Sequence, residues 1–241
     1  MKKKIMQYPA SYIVFGFFLI ITYLLIIPLA YFNIFQNLEI SNNFWALNFI
    51  NIGKDILICF LLILIFHKSL KREMIDFWKN KKELTKIGFS AWGKGLLLMI
   101  LSNIIIVAIT KGMAGNEEQN REIMQQLPIY SIFAMCFMGP FIEEVVFRKS
   151  FKKAFKSKTT FVIFTSFVFA SLHVINGFDN LSIQNILNNW QQLLYFIPYT
   201  SLAIFFADAY YKTDNIFTST FAHCLHNTFS VIIILLGNMI L

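Results

Sequence analysis

IYSIFAMCFMGPFIEEVVFR, residues Ile129–Arg148, is an apolar run of membrane-spanning length that ends in two adjacent glutamates and an arginine. About 20 consecutive apolar residues suffice to cross the hydrocarbon core as a helix. Acids inside such a run are expensive. Where they occur they face a protein interior or a water-filled cavity and mark a working site. The run therefore reads as one helix of a bundle that encloses something polar. Pro140 lies three residues before Glu143, where its missing N–H weakens a helix hydrogen bond and predicts a kink.

Working outward, six further apolar segments accompany it: Ser11–Phe32, Trp45–Phe66, Gly93–Thr110, Thr160–Val174, Gln191–Tyr211 and Ile216–Leu236. With 57% hydrophobic and 14% charged residues, the chain reads as an integral membrane protein. The expected fold is all-α: a polytopic bundle of about seven transmembrane helices around a polar cavity, with Met1–Leu241 forming one membrane domain. Asn51, Lys54 and Asp55 interrupt the second segment, so a shorter inserted stretch from Ile56 is the alternative there. The segment Thr160–Val174 is short for a full span. Cys59, Cys136 and Cys224 all lie in apolar runs and read as small core residues. Lys2, Lys3 and Lys4 precede a long apolar run without a small-residue cleavage site, so the first segment is expected to stay as an anchor.

A net charge of +8 invites a nucleic-acid reading, but the surplus lies in short loops between apolar runs. The positive-inside rule explains that placement with no nucleic-acid partner. If the N-terminus is cytoplasmic, every lysine and arginine except Lys54, Lys111 and Arg121 falls on the inner side. The expected placement is a multi-pass protein of the cell membrane with its N-terminus cytoplasmic and its C-terminus outside. The stretch Lys68–Lys86 is expected to be a solvated orienting loop, with an amphipathic inner-leaflet helix as the alternative. Met113–Gln126 is polar and reads as an outer loop or helix.

Three segments carry residues that could do chemistry. Glu144 and Arg148 stand at i,i+4 with the acid first, the favourable order for an ion pair. Glu143 points about 100° away on a helix and is free to face the interior. The alternative is that both acids end a helix at the cytoplasmic surface beside Arg148 and Lys149. His173 has Phe169 one turn earlier on the same face, and His223 shares a face with Asn227. His226 and Cys224 are expected to point elsewhere. A carboxylate and a histidine can polarise a water and carry its proton during amide hydrolysis. A second histidine and a carboxamide can donate to the oxyanion of a tetrahedral intermediate. Alternatively, Glu143, His173 and His223 match the donor types of an open zinc site. Sequence does not separate these two. Depth along the chain sets a condition: His173 is about 14 residues into its run, roughly 21 Å at 1.5 Å per residue. For it to meet Glu143 and His223, that helix must begin outside the hydrocarbon or tilt strongly.

The residues Glu143-Glu144 with Arg148, Phe169 with His173, and His223 with Asn227 occur in the order and spacing that mark the CPBP family. The C-terminal half of the chain, Met138–Asn227, resembles that family, which comprises the CAAX prenyl endopeptidases and the bacteriocin-processing or immunity-associated Abi proteins. The resemblance implies an intramembrane endopeptidase (a hydrolase) whose cavity opens toward the cytoplasm. By carry-over, Glu143 would be the general base with His173 on the same water. His223 and Asn227 would form the oxyanion hole, with Glu144, Arg148 and Phe169 supporting the site. The family has been described both as metalloproteases and as metal-free glutamate proteases, and the expectation here is no cofactor, with zinc as the alternative. Expected partners are membrane lipids and a peptide or protein substrate at the inner leaflet. Two other classes are a non-catalytic membrane adaptor or immunity protein that uses the same polar network structurally, and a small proton-coupled transporter.

Overall fold

The computed structural model describes residues 9–35, 43–178 and 180–240. Lys2, Lys3 and Lys4 of the orientation argument lie outside them. Helix α1 runs Pro9–Ile21, passes through a π-helical turn at Thr22–Ile26 and continues over Ile27–Phe35. It is followed by α2 (Phe44–Lys79), α3 (Lys81–Thr110) and the polar α4 (Gly115–Gln126). The glutamate helix, α5, starts at Pro128–Phe133 and runs through a π turn at Ala134–Met138, an α segment Gly139–Glu144 and a second π turn at Val145–Lys149. Then come α6 (Lys158–Ile175), the short α7 (Ile183–Asn188), α8 (Phe196–Thr213) and α9 (Ile216–Ile240). The described residues contain no strand, and seven of their helical stretches are long and apolar enough to cross a membrane. The all-α polytopic bundle expected from sequence is the fold observed.

Helices α3, α6, α8 and α9 pack together, and α9 also lies along α5, which α2 flanks. Close approach along α3 depends on small residues. A side chain at Gly88 would meet Phe221 and the Thr218 carbonyl, and one at Gly95 would meet Leu202. Without a hydrophobic driving force between helices in lipid, such small-residue contacts carry much of the association. The outward faces stay apolar: Ile56, Leu57, Phe60, Ile104 and Ile105 are exposed, as suits a solvent of lipid chains.

Two sequence expectations change. Lys68–Lys86 is helix rather than loop: α2 continues to Lys79 and α3 begins at Lys81. At 36 residues, α2 is about 54 Å long against about 30 Å of hydrocarbon, so its end projects well past the membrane. Leu70 and Glu73, one turn apart, are buried on its inner face, which is why the charged stretch stays helical. Asn51, Lys54 and Asp55 do not interrupt the second span either. They lie within α2, with Asn51 donating to the Leu47 carbonyl and Asp55 buried beside Lys54.

The two helices that carry the histidines start at different depths in the bundle. The first turn of α6, at Lys158, Thr159 and Thr160, is exposed beyond the packed core. By contrast α9 begins inside the bundle, its first residue Ile216 being fully buried. Glu73 makes that start workable. Its carboxylate accepts the Ile216 N–H at 3.0 Å and the Lys149 ammonium at 2.5 Å, and its carbonyl accepts Asn215 Nδ2 at 2.7 Å. Lys149 and Arg148, expected at the surface, are buried.

Removing one partner of a buried ion pair leaves an uncompensated charge, which typically costs about 3–5 kcal/mol. Glu73→Ala is therefore expected to lower thermal stability in detergent strongly, and Glu73→Ala with Lys149→Met to recover part of the loss. A Glu73→Ala protein that melts like wild type would refute the capping role.

Candidate active site

The site is built upward from a sealed floor. Glu144 and Arg148, one turn apart on α5, are both fully buried and form an ion pair at 3.0 Å. The alternative in which these charges end a helix at the surface is excluded by that burial. Glu144 also accepts Nδ1 of His223 at 3.0 Å, joining α5 to α9. Phe169 of α6 fills the space between them. Its ring centroid lies 4.2 Å from the Arg148 guanidinium, 4.1 Å from the His173 ring and 5.9 Å from the His223 ring. A weakly hydrated guanidinium over an aromatic face is a favourable arrangement away from water. Phe169 thus sets the separation between the floor and both histidines.

Glu143 faces the other way, as its 100° offset requires. Its carboxylate keeps 20% of its accessible surface, and its Oε2 stands 3.7 Å from His223 Nε2. Glu143, His173, His223 and Asn227 all line one cavity of about 800 Å³. His173 Nδ1 lies 2.9 Å from the Phe169 carbonyl. A carbonyl only accepts, so that nitrogen carries the proton, and the neutral ring has a free Nε2 lone pair. The same argument applied to His223 gives a different result. With Nδ1–H donated to a carboxylate, Nε2 carries a proton only in the imidazolium.

Pro140 acts through backbone accounting. Gly139 N–H bonds to the Ala134 carbonyl in the π turn, and Pro140 has no N–H. The Met135 carbonyl is left with no donor from its own helix. Asn227 Nδ2, on α9, donates to it at 2.9 Å. One amide hydrogen of Asn227 remains for the cavity. The proline predicted as a kink is a π turn, and the motif asparagine closes it.

Several residues escape a motif reading. His226, expected to point away, lines the same cavity, because residues three apart still share a helix face. Tyr199 of α8 lies 5.0 Å from the His173 ring and accepts Asn116 Nδ2 at 3.3 Å. Lys54 sits over the rings of Tyr31 and Tyr130 at 5.4 and 5.5 Å. In α4, burial pushes the Glu117 carboxyl above its ordinary value, and Arg121 at 3.2 Å opposes the rise. Cys136 packs with Met124, Val231 and Ile234.

Among the described residues no group of three His, Cys, Asp or Glu side chains could hold a metal ion.

Residues 125–229 match the family model described as type II CAAX prenyl endopeptidase, Rce1-like. The chain is also 24% identical over 191 residues to a Bacillus subtilis (strain 168) protein named "Putative membrane peptidase YdiL", covering 72% of this chain and 67% of that one. No solved structure matches. The resemblance read from the motifs is thus reproduced by a match across the segment that holds them. It supports a membrane-protease role for a multi-pass membrane protein.

Stranding a buried carbonyl costs about 1–3 kcal/mol. Asn227→Ala is expected to lower unfolding stability by that amount. In a Pro140→Ala background, where an N–H returns to the helix, the same change is expected to cost less. Equal costs in both backgrounds, measured as a thermal double-mutant cycle, would refute the link.

Proposed function

We propose that this protein is an intramembrane endopeptidase that hydrolyses a peptide bond of a membrane-associated peptide or protein with a water held between Glu143 and His173. The observation that carries the reading is that His173, whose Nδ1 is engaged by the Phe169 carbonyl, lines the same cavity as the partly exposed Glu143 carboxylate. Both groups accept hydrogen bonds, so they suit the two protons of one water.

The water oxygen attacks the scissile carbonyl carbon while Glu143 takes a proton. The resulting oxyanion is met by the second amide hydrogen of Asn227 and by Nε2–H of the His223 imidazolium. Glu144, held by Arg148, keeps His223 oriented and offsets its charge. Collapse of the intermediate breaks the C–N bond, and Glu143 returns its proton to the leaving nitrogen. The products are an amine and a carboxylic acid, whose remaining water proton passes to the amine or to solvent, and the enzyme is restored. A general base contributes about 10²–10⁴-fold, and one oxyanion donor about 10²–10³-fold.

The test is cleavage of a fluorogenic peptide mixture by purified protein in lipid nanodiscs. Glu143→Gln and His173→Ala are each expected to lose about 10²-fold or more, with unchanged melting temperature and no response to a chelator. Cleavage that survives both substitutions overturns the assignment. Loss with chelator that zinc restores replaces it with a metal mechanism. A stable wild type that cleaves nothing favours the non-catalytic adaptor.

A further inference from the structure

The cavity lies toward the end of the bundle away from most of the cations. Most elements contribute the part nearest the polar connections, while α9 contributes its middle, His223 to Ser230. From α2 come Lys54 and Asp55, close to its start, and from α5 come Tyr130 to Glu143. From α6 and α8 come His173 and Tyr199, toward the ends joined by the Asn176–Tyr195 connection. Asn116, Glu117 and Asn120 of α4 complete the rim. That rim is tied down: Gln119 Nε2 donates to the Asn176 carbonyl at 2.7 Å, and the Gly115 N–H to Gln192 Oε1 at 2.9 Å. Toward the opposite end the floor is closed by Val145, Phe147, Phe151, Phe161 and Ile216, none more than 2% exposed. Below them lies the Glu73–Lys149 pair.

Among the described residues, the rim end holds only Lys54, Lys111 and Arg121. The lysines and arginines of the α2–α3 hairpin, of Arg148–Lys158 and at Lys212 lie toward the floor end. Such an excess of basic residues marks the cytoplasmic side. An opening toward the cytoplasm, implied by family resemblance, would require the cavity to pass through the packed floor.

We infer that the active-site cavity opens to the extracytoplasmic side, and that its substrate is a polypeptide segment presented at the outer face of the membrane rather than a tail at the inner leaflet. What passes the rim rests on the peptidase reading; the direction of opening does not. A polar rim carrying both signs of charge, Lys54 against Asp55 and Glu117, suits an unfolded peptide backbone emerging from the outer leaflet. The wall contributed by α1, including Leu24 and Ile27, gives that segment an apolar side to lie against.

The test separates these layers. In a variant with Cys59, Cys136 and Cys224 replaced, single cysteines are placed at Glu118 on α4, Lys82 at the basic end and Ser230 inside the cavity. Intact cells are treated with a charged, membrane-impermeant thiol reagent. Glu118→Cys and Ser230→Cys are expected to react, and Lys82→Cys only after permeabilisation. Labelling of Lys82→Cys alone in intact cells, or of Ser230→Cys only from the inside or from neither side, overturns the proposal. A membrane-anchored reporter with its target segment outside is expected to be cut, and the mirrored reporter left intact. If neither is cut while the labelling holds, the peptidase reading fails and the opening stands.

Discussion

The buried Glu144–Arg148 pair is the constraint around which the cavity-lining half of the bundle is arranged. Taking both charges out of water costs several kcal/mol per ion, and their attraction repays this only when geometry and partners are good. A buried pair is therefore weak evidence for stability and better evidence for a task. Here Glu144 has a second partner, His223, and Arg148 a second surface, the Phe169 ring. Each extra contact reaches a residue that lines the cavity. The pair fixes the position of a histidine on one helix and the seat of another histidine through an aromatic ring on a second. An apolar replacement of similar volume could fill the same space, yet it could not orient His223.

A second constraint is the completeness of backbone hydrogen bonding away from water. A proline in a membrane helix frees a carbonyl, and in hydrocarbon the penalty for leaving it unpaired is several kcal/mol. The π turn at Ala134–Met138 and the Asn227 amide together answer for Pro140. The consequence is geometric. The asparagine is held at the cavity wall by a bond to the helix that carries the glutamates, so its remaining N–H has a fixed direction.

The pairing of the cavity residues was legible in the sequence because helical periodicity decides which neighbours share a face. Glu144 with Arg148, Phe169 with His173, and His223 with Asn227 are each one turn apart, and each pair stands as the spacing implies. Glu73 was not legible. It lies in a stretch of alternating charges that reads as solvent-facing, and its burial is decided by Lys149 and Ile216, far away in sequence. Lys54 and Asp55 failed in the opposite sense. Polar residues in an apolar run look like an interruption until the other helices show that they face a cavity. Arg148 and Lys149 were misplaced for a related reason: charge at the end of an apolar run reads as surface, whereas both are inside.

That last error bears on how the bundle is organised. Charges at the basic end are spent on closure: Glu73 caps a buried helix start and neutralises Lys149, while Asp208 takes Lys158 and Lys212 at 2.5 Å each. Polar groups at the other end are spent on holding an opening, with Tyr195 donating to the Gly112 carbonyl at 2.8 Å and α4 tied across the helix ends. A hydrolytic site needs water at the nucleophile and its exclusion from the charges that orient the machinery. Glu143 keeps 20% exposure while Glu144, the adjacent residue, keeps none. The 100° between neighbouring helix positions is enough to put one carboxylate in the wet half of the bundle and the other in the dry half.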